Sequence, residues 1–178
     1  MAINIYPDME QAVSEAIGIF YAHGHRRIGL LSHPCEHYTF QLWQNAFIKA
    51  MQEHNLPIFP YAIIDNHRLD LIPEKKFKKT TAWFCVTQSN VEELFERLSK
   101  SNLAVPEQVS VIGSDDPYGD GLLGGEVPIS VYNIDIRKLN RLLKRLLQME
   151  LSDNNTKGSI LYYPMAAIHR GSVKRCVL

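Results

Sequence analysis

Net charge is the first thing this sequence lacks. Its 178 residues carry 19 Lys plus Arg against 19 Asp plus Glu, a formal net charge of zero. A protein that grips nucleic acid by its backbone shows a basic excess, so the balance argues against a free-standing nucleic-acid binder. Cysteine is scarce as well. Cys35, Cys85 and Cys176 are scattered and odd in number, which fits no disulfide framework and points to a reducing compartment. No run approaches the roughly 18 apolar residues that a membrane span needs. The start, MAINIYPDMEQ, has no basic or apolar stretch of the kind a signal peptide shows. A cytoplasmic location away from membranes is therefore expected. What is present is ordinary: 46% apolar and 21% charged residues, a globular composition at a length that fits one domain of about 100–200 residues.

Helical and extended stretches alternate along the chain. Residues 8–23 read as a helix with Asp8 as N-cap, Gln11 as capping-box partner, and Ala12, Val13, Ala16, Ile17 and Phe20 on one face. Gly24 stands where a left-handed C-terminal residue is wanted. The strand IGLLS follows, then a helix over 39–54, the strand YAIID, and a lysine-rich stretch over 66–79 that reads as a solvated face. Next come TAWFCV, a helix capped by Ser89 with Glu92 as its partner, VSVIG, a strand over 129–133, and a leucine-rich helix from Asp135. Residues 160–168 form a final extended segment. Short all-apolar strands between helices imply a doubly wound, mainly parallel α/β sheet with helices on both faces. Ligands in such sheets gather at the carboxyl ends of the strands.

Several motifs invite a chemical reading. Gly119-Asp120-Gly121-Leu122-Leu123-Gly124 has the spacing of a dinucleotide loop, but Pro128 and a strand follow where a helix N-terminus is required. His33-Pro34-Cys35-Glu36-His37 crowds soft ligands together without the further ligands of a zinc site, and no third group orients a Cys35–His37 nucleophile pair. Asp115 and Asp116, just past VSVIG, are the most suggestive pair. They can contact a ligand, brace the loop as Asp does in turns, or hold a cation. Trp43 is either a core aromatic or a stacking platform. The last helix sets Arg137, Lys138, Arg141, Lys144 and Arg145 against its leucine face, the pattern of a solvated face or of contact with an acidic partner.

Four stretches together resemble a known family. His23-Gly24-His25-Arg26-Arg27-Ile28-Gly29-Leu30-Leu31 is similar to the GHRRIGLL signature of LacI-type transcriptional regulators. The run from Val105 to Asp116, VPEQVSVIGSDD, resembles their VPedvSVIGfDD segment. His169-Arg170-Gly171-Ser172 resembles the vRgS that ends their effector domain, and Ala46-Phe47 with Ala50-Met51 resembles GFxxAM. The order and spacing agree with the family. The resemblance implies the periplasmic-binding-protein-like type I fold, in which a small molecule, often a sugar or nucleobase, sits between two lobes and controls operator binding by a helix-turn-helix headpiece. It covers nearly the whole chain, read as a single effector-binding-like domain over 1–178, truncated relative to the family. What remains corresponds to one lobe plus elements of a second, with residues 129–150 expected to belong to the missing lobe.

The resemblance also implies site residues. The arginine that opens the family's RxxGF helix corresponds to Trp43, and earlier loop positions to His37 and Thr39. The family's Asn-Asp after the TAWFCV-like strand corresponds to Thr87 and Gln88, the first Asp of the DD pair to Asp115, and a further cleft position to His67. A guanidinium offers fixed donors where indole offers one N–H and a broad face, so the effector site is altered at most of its matched positions. The expected partners are a small-molecule effector and a second copy of the chain, with DNA reached only through a headpiece. Neither cofactor nor catalysis is expected. The alternatives are a periplasmic-type sugar-binding protein, a degenerate assembly module that no longer binds a ligand, and a small metal enzyme built on Asp115 and Asp116.

Overall fold

The computed structural model describes residues 3–34, 38–116, 119, 121–122, 127–152 and 159–176. The chain runs β1 (Ile3–Pro7), α1 (Met9–Ala22), β2 (Ile28–Ser32), α2 (Tyr38–Glu53), β3 (Ile63–Asp65), a 3-10 turn (Asn66–Leu71), α3 (Glu74–Phe77), β4 (Ala82–Cys85), α4 (Gln88–Lys100) and β5 (Ser110–Ser114). It continues through β6 (Ser130–Asn133), α5 (Ile136–Ser152), β7 (Ser159–Tyr163) and β8 (Ala166–Ile168).

Six strands form the main sheet in the order β3-β2-β4-β5-β6-β8. All neighbours are parallel except β6 and β8. Alternate residues feed two cores. Ile28 and Leu30, Phe84, Ile112 and Tyr132 face α1 and α2. Leu31, Trp83, Cys85, Val111 and Val131 join Phe77, Leu94 and Leu98 on the other face. A strand buried on both faces needs no polar alternation, which is why these segments read as unbroken apolar runs. Each fully buried Leu, Ile or Phe contributes about 1.5–3 kcal/mol.

Local chemistry sets the helix ends. Gln11 N donates to Asp8 Oδ1 at 3.0 Å, satisfying one of the free donors of α1. At its other end Gly24, with φ +88°, lets His25 N reach Phe20 O at 3.0 Å. The cap of α4 is Thr87 rather than Ser89. Its hydroxyl accepts from Asn90 N, and Asn90 Oδ1 accepts from Thr87 N in return. Asn90 at the third helical position takes the role expected of Glu92, two residues earlier. The stretch expected to be solvated packs instead: Leu69, Ile72 and Phe77 are buried between lysines that point outward.

Residues 129–150 hold β6 and most of α5. β6 does not stand apart, because it is hydrogen-bonded between β5 and β8, with Val131 and Tyr132 buried in opposite cores. The elements that stand apart are β1 and β7, which pair in parallel from Ile3↔Ser159 to Pro7↔Tyr163. The extended segment at 160–168 is thus two strands in two sheets. α5 also differs from the other long helices, since none of its residues 136–148 is buried.

The carboxyl-terminal segment binds the sheet together. Val111 N donates to Ser172 O at 3.0 Å. Ser172 Oγ donates to Val111 O at 2.6 Å and accepts from Ser130 N at 2.8 Å. Further on, Lys174 N donates to Ser110 Oγ at 3.0 Å, and Cys176 N to His23 O at 2.8 Å. His25 is 2% exposed, and its Nε2–H donates to Lys174 O at 3.0 Å. With that nitrogen protonated, the neutral ring accepts from Thr81 Oγ1 at Nδ1, 3.0 Å away.

Candidate functional site

A cavity of about 490 Å³ lies between the carboxyl edge of the main sheet and the β1–β7 pair. The ends of β4, β5 and β6 supply Val86, Thr87, Ser114, Asp115, Asn133 and Ile134. The start of α1 and the first two turns of α2 supply Met9, Thr39, Phe40 and Trp43, while Tyr6, Pro7, Ile136 and Met165 close the far side. Loops leaving parallel strands diverge at this edge, which leaves room for a ligand.

The two adjacent carboxylates have separate tasks. Asp116 is 3% exposed. Its Oδ2 accepts from Arg170 Nη2 at 2.6 Å and its Oδ1 from Gly119 N at 2.9 Å. Arg170 also donates to Ile129 O at 2.9 Å and Gly119 O at 3.1 Å. Asp116 is therefore a brace. Asp115 is exposed at the cavity wall, with φ +71° and its N–H given to Tyr132 O at 3.1 Å. Among the described residues no hydrogen bond engages its carboxylate. The left-handed backbone separates it from its neighbour and is tolerated better by Asp than by most residues.

Trp43 is both a core residue and part of the cavity wall. It is 5% exposed and its ring lies 5.6 Å from Phe84, tilted by 36°, so most of it is core while one edge forms cavity wall. Thr39 lines the cavity from the exposed start of α2. Thr87 reaches the cavity too, but its hydroxyl is engaged by the cap of α4 and by His33 Nε2 at 3.1 Å. Gln88 is not brought in; its Nε2 donates to Glu92 Oε1 at 2.8 Å on α4. His67 falls in the 3-10 turn after β3, the edge strand of the main sheet. His37 and Cys35 lie outside the described residues, as does Gly124.

Sequence reasoning did not name Phe40, Asn133, Ile134, Ile136 or Met165. Asn133 and Ile134 lie at the carboxyl end of β6, Ile136 opens α5, Phe40 follows Thr39 on α2 and Met165 precedes β8, so no single stretch of sequence collects them. Among the described residues, no group of three or more His, Cys, Asp or Glu is placed to hold a metal. Asp116, buried against Arg170, is committed elsewhere. Burial pushes the Cys85 thiol pKa far up, which keeps it protonated and unreactive. No helix of the described residues is long and apolar enough to cross a membrane.

Comparison with known proteins agrees with this fold. The family model described as a periplasmic binding protein-like domain matches residues 17–173. The HTH-type transcriptional repressor PurR of Actinobacillus pleuropneumoniae serotype 3 is 27% identical over 136 residues, covering 69% of this chain and 40% of the repressor. The chain thus spans well under half the length of that curated relative. The dimeric Lac repressor with an 11-residue C-terminal deletion superposes with a TM-score of 0.81 at 20% identity, over 97% of this chain and 64% of the repressor. A periplasmic binding protein/LacI transcriptional regulator from Alkaliphilus metalliredigens QYMF, solved with D-xylulofuranose, gives 0.77 at 18% identity over 96% of this chain and 65% of that one. The chain belongs to the family of periplasmic binding protein-like domains, and within it resembles the effector-binding region of LacI-type regulators.

Proposed function

We propose that this chain is the ligand-sensing and oligomerisation part of a LacI-type transcriptional regulator. A small sugar-like or nucleoside-like molecule binds in the cavity at the carboxyl edge of the sheet. Operator binding belongs to a headpiece outside these 178 residues, and the sensing unit works as a homodimer without cofactor or catalysis. The observation that carries the reading is the cavity itself, which brings Thr39, Trp43, Thr87 and Asp115 from three different elements into one wall. A ligand held between this edge and the β1–β7 pair favours the arrangement that it fits, and so shifts the population by differential affinity.

Isothermal titration of the chain with a panel of monosaccharides, nucleosides and nucleobases tests the reading. Saturable binding that Asp115→Ala abolishes, with the fold intact by circular dichroism, is the expected result. Binding unchanged in Asp115→Ala removes Asp115 from the site, and no binding across the panel overturns the sensing function. The uncovered leucine face of α5 favours a second reading as an assembly module. It is distinguished by self-association that does not respond to any ligand.

A further inference from the structure

The helix α5 and the groove between α1 and α2 are matched in length, apolar character and sign of charge. Leu143 and Leu147 follow Ile136 by about two and three helical turns, so the three exposed side chains share one line along α5. Arg137, Arg141 and Lys144 run along one flank of that line and are exposed too. Leu139, Leu142 and Leu146 lie on the other flank and are half-buried. The groove, of about 630 Å³, has Met9, Ala46 and Ala50 as its buried floor, with Leu42 and the exposed Tyr162 of β7 beside it. Asp8, Glu10 and Glu53 stand along it together with Lys49, which meets Glu10 from the facing helix. From Leu42 to Glu53 the groove follows α2 for about 16 Å, the same length as α5 from Ile136 to Leu147.

We infer that α5 of a second copy of this chain docks in the groove between α1 and α2, and that the two copies make this contact reciprocally. The inference rests on the homodimer proposed above and names its surface. Leu143 and Leu147 enter over Ala46 and Ala50, whose small side chains leave depth for them, and give up their contact with water. The basic flank of α5 then lies along Glu10 and Glu53, which sets the direction of the helix in the groove. The Glu10–Lys49 contact is exposed on both sides, so it is worth little and an incoming arginine can replace Lys49 in it. Made twice about a two-fold axis, the exchange covers both helices and closes, which gives a dimer rather than a filament.

The test is sedimentation equilibrium of the 178-residue chain and of charge-reversed variants. Arg141→Glu with Lys144→Glu reverses the flank of α5, and Glu10→Lys with Glu53→Lys reverses the groove. All four residues are exposed, and circular dichroism checks that each variant keeps the fold. Each reversal is expected to weaken the homodimer at least about ten-fold, and the two reversals combined in one chain are expected to restore the parent affinity to within about three-fold. Mixing the two variants is expected to give a heterodimer of similar strength. Should the groove reversal disturb α1, Asn45→Lys on the exposed rim is the second groove variant, with weakening expected in the same direction. A dimer that keeps its affinity through both reversals, or that the combination fails to restore, overturns the docking and leaves the homodimer standing. A parent chain that stays monomeric at every concentration overturns the homodimer and the docking with it, while the ligand titration judges the sensing function separately.

Discussion

Asp116 and Arg170 meet at 2.6 Å across 54 residues of sequence, with side-chain exposures of 0% and 13%. The pair ties the loop after β5 to the segment that follows β8. Removing one partner leaves a buried charge without compensation, a loss of about 3–5 kcal/mol. Arg170→Ala is therefore expected to lower the unfolding free energy by that amount in urea titration. Asp116→Asn, which keeps an acceptor, is expected to cost less.

Gly29 sits directly under the indole of Trp83, its register partner on β4. A Cβ at Gly29 would lie 2.9 Å from Trp83 Cδ2 and closer still to Cε3 and Cζ3. The ring is fully buried and cannot swing away. Gly29→Ala is expected to destabilise by about 1–3 kcal/mol. Trp83→Phe in the same chain should recover part of that loss, so the double variant is expected to be less unstable than the sum of the singles.

The pKa of His25 is held below its ordinary value of 6.5, first by burial, against the opposing hydrogen bond to Lys174 O and with help from the nearby charges of His23 and Arg26. The unfolded chain takes up a proton on this ring as pH falls through 6.5, while the folded chain does not until lower pH. In that window the unfolded state binds more protons, so stability falls as pH drops, by at most about 1.4 kcal/mol per pH unit. His25→Gln is expected to flatten this part of a stability-against-pH curve measured between pH 7.5 and 5. An unchanged slope would assign the effect to another group.

Asp115 holds a left-handed backbone, so its two substitutions should separate conformation from chemistry. Asp115→Ala places a Cβ in that region without a polar side chain to help, at a cost of about 1 kcal/mol. Asp115→Gly removes the steric cost and is expected to stay within about 0.5 kcal/mol of the parent. Both lose the carboxylate, and both are expected to lose the ligand response.

Two leucine-bearing helices should answer differently to truncation. Leu94 of α4 is fully buried and Leu147 of α5 is 60% exposed. Leu94→Ala is expected to cost about 2–5 kcal/mol. Leu147→Ser is expected to change stability by no more than about 0.5 kcal/mol and to reduce self-association if α5 takes part in assembly. Thermal unfolding and light scattering read the two effects separately.

Most of the sheet could be read in the sequence because it is written in local terms. Asp8, Gly24 and Asn102 mark helix ends, and IGLLS, TAWFCV and VSVIG are apolar because both of their faces are covered. The motifs that carried the family resemblance turn out to be fastenings: His25, Arg170 and Ser172 all hold the chain's last segment to the sheet. They identify a fold and say little about a ligand. The site was less legible because its wall is assembled from strand ends far apart in sequence, and a side chain's commitment there is set by its neighbours. Thr87 and Gln88 look equally available in the sequence. In the structure one hydroxyl is absorbed by a helix cap and the other amide turns along α4.

The fastening of the carboxyl-terminal segment also bears on how the chain comes to be folded. His25 waits for Lys174, a partner 149 residues downstream, and β1 waits for β7. During synthesis the early strands can collapse, but these closures must wait until residues 159–174 leave the ribosome. Long-range closures of this kind slow folding and prolong the exposure of strand edges. The growing chain is thus most vulnerable to misassociation before residues 159–174 have emerged.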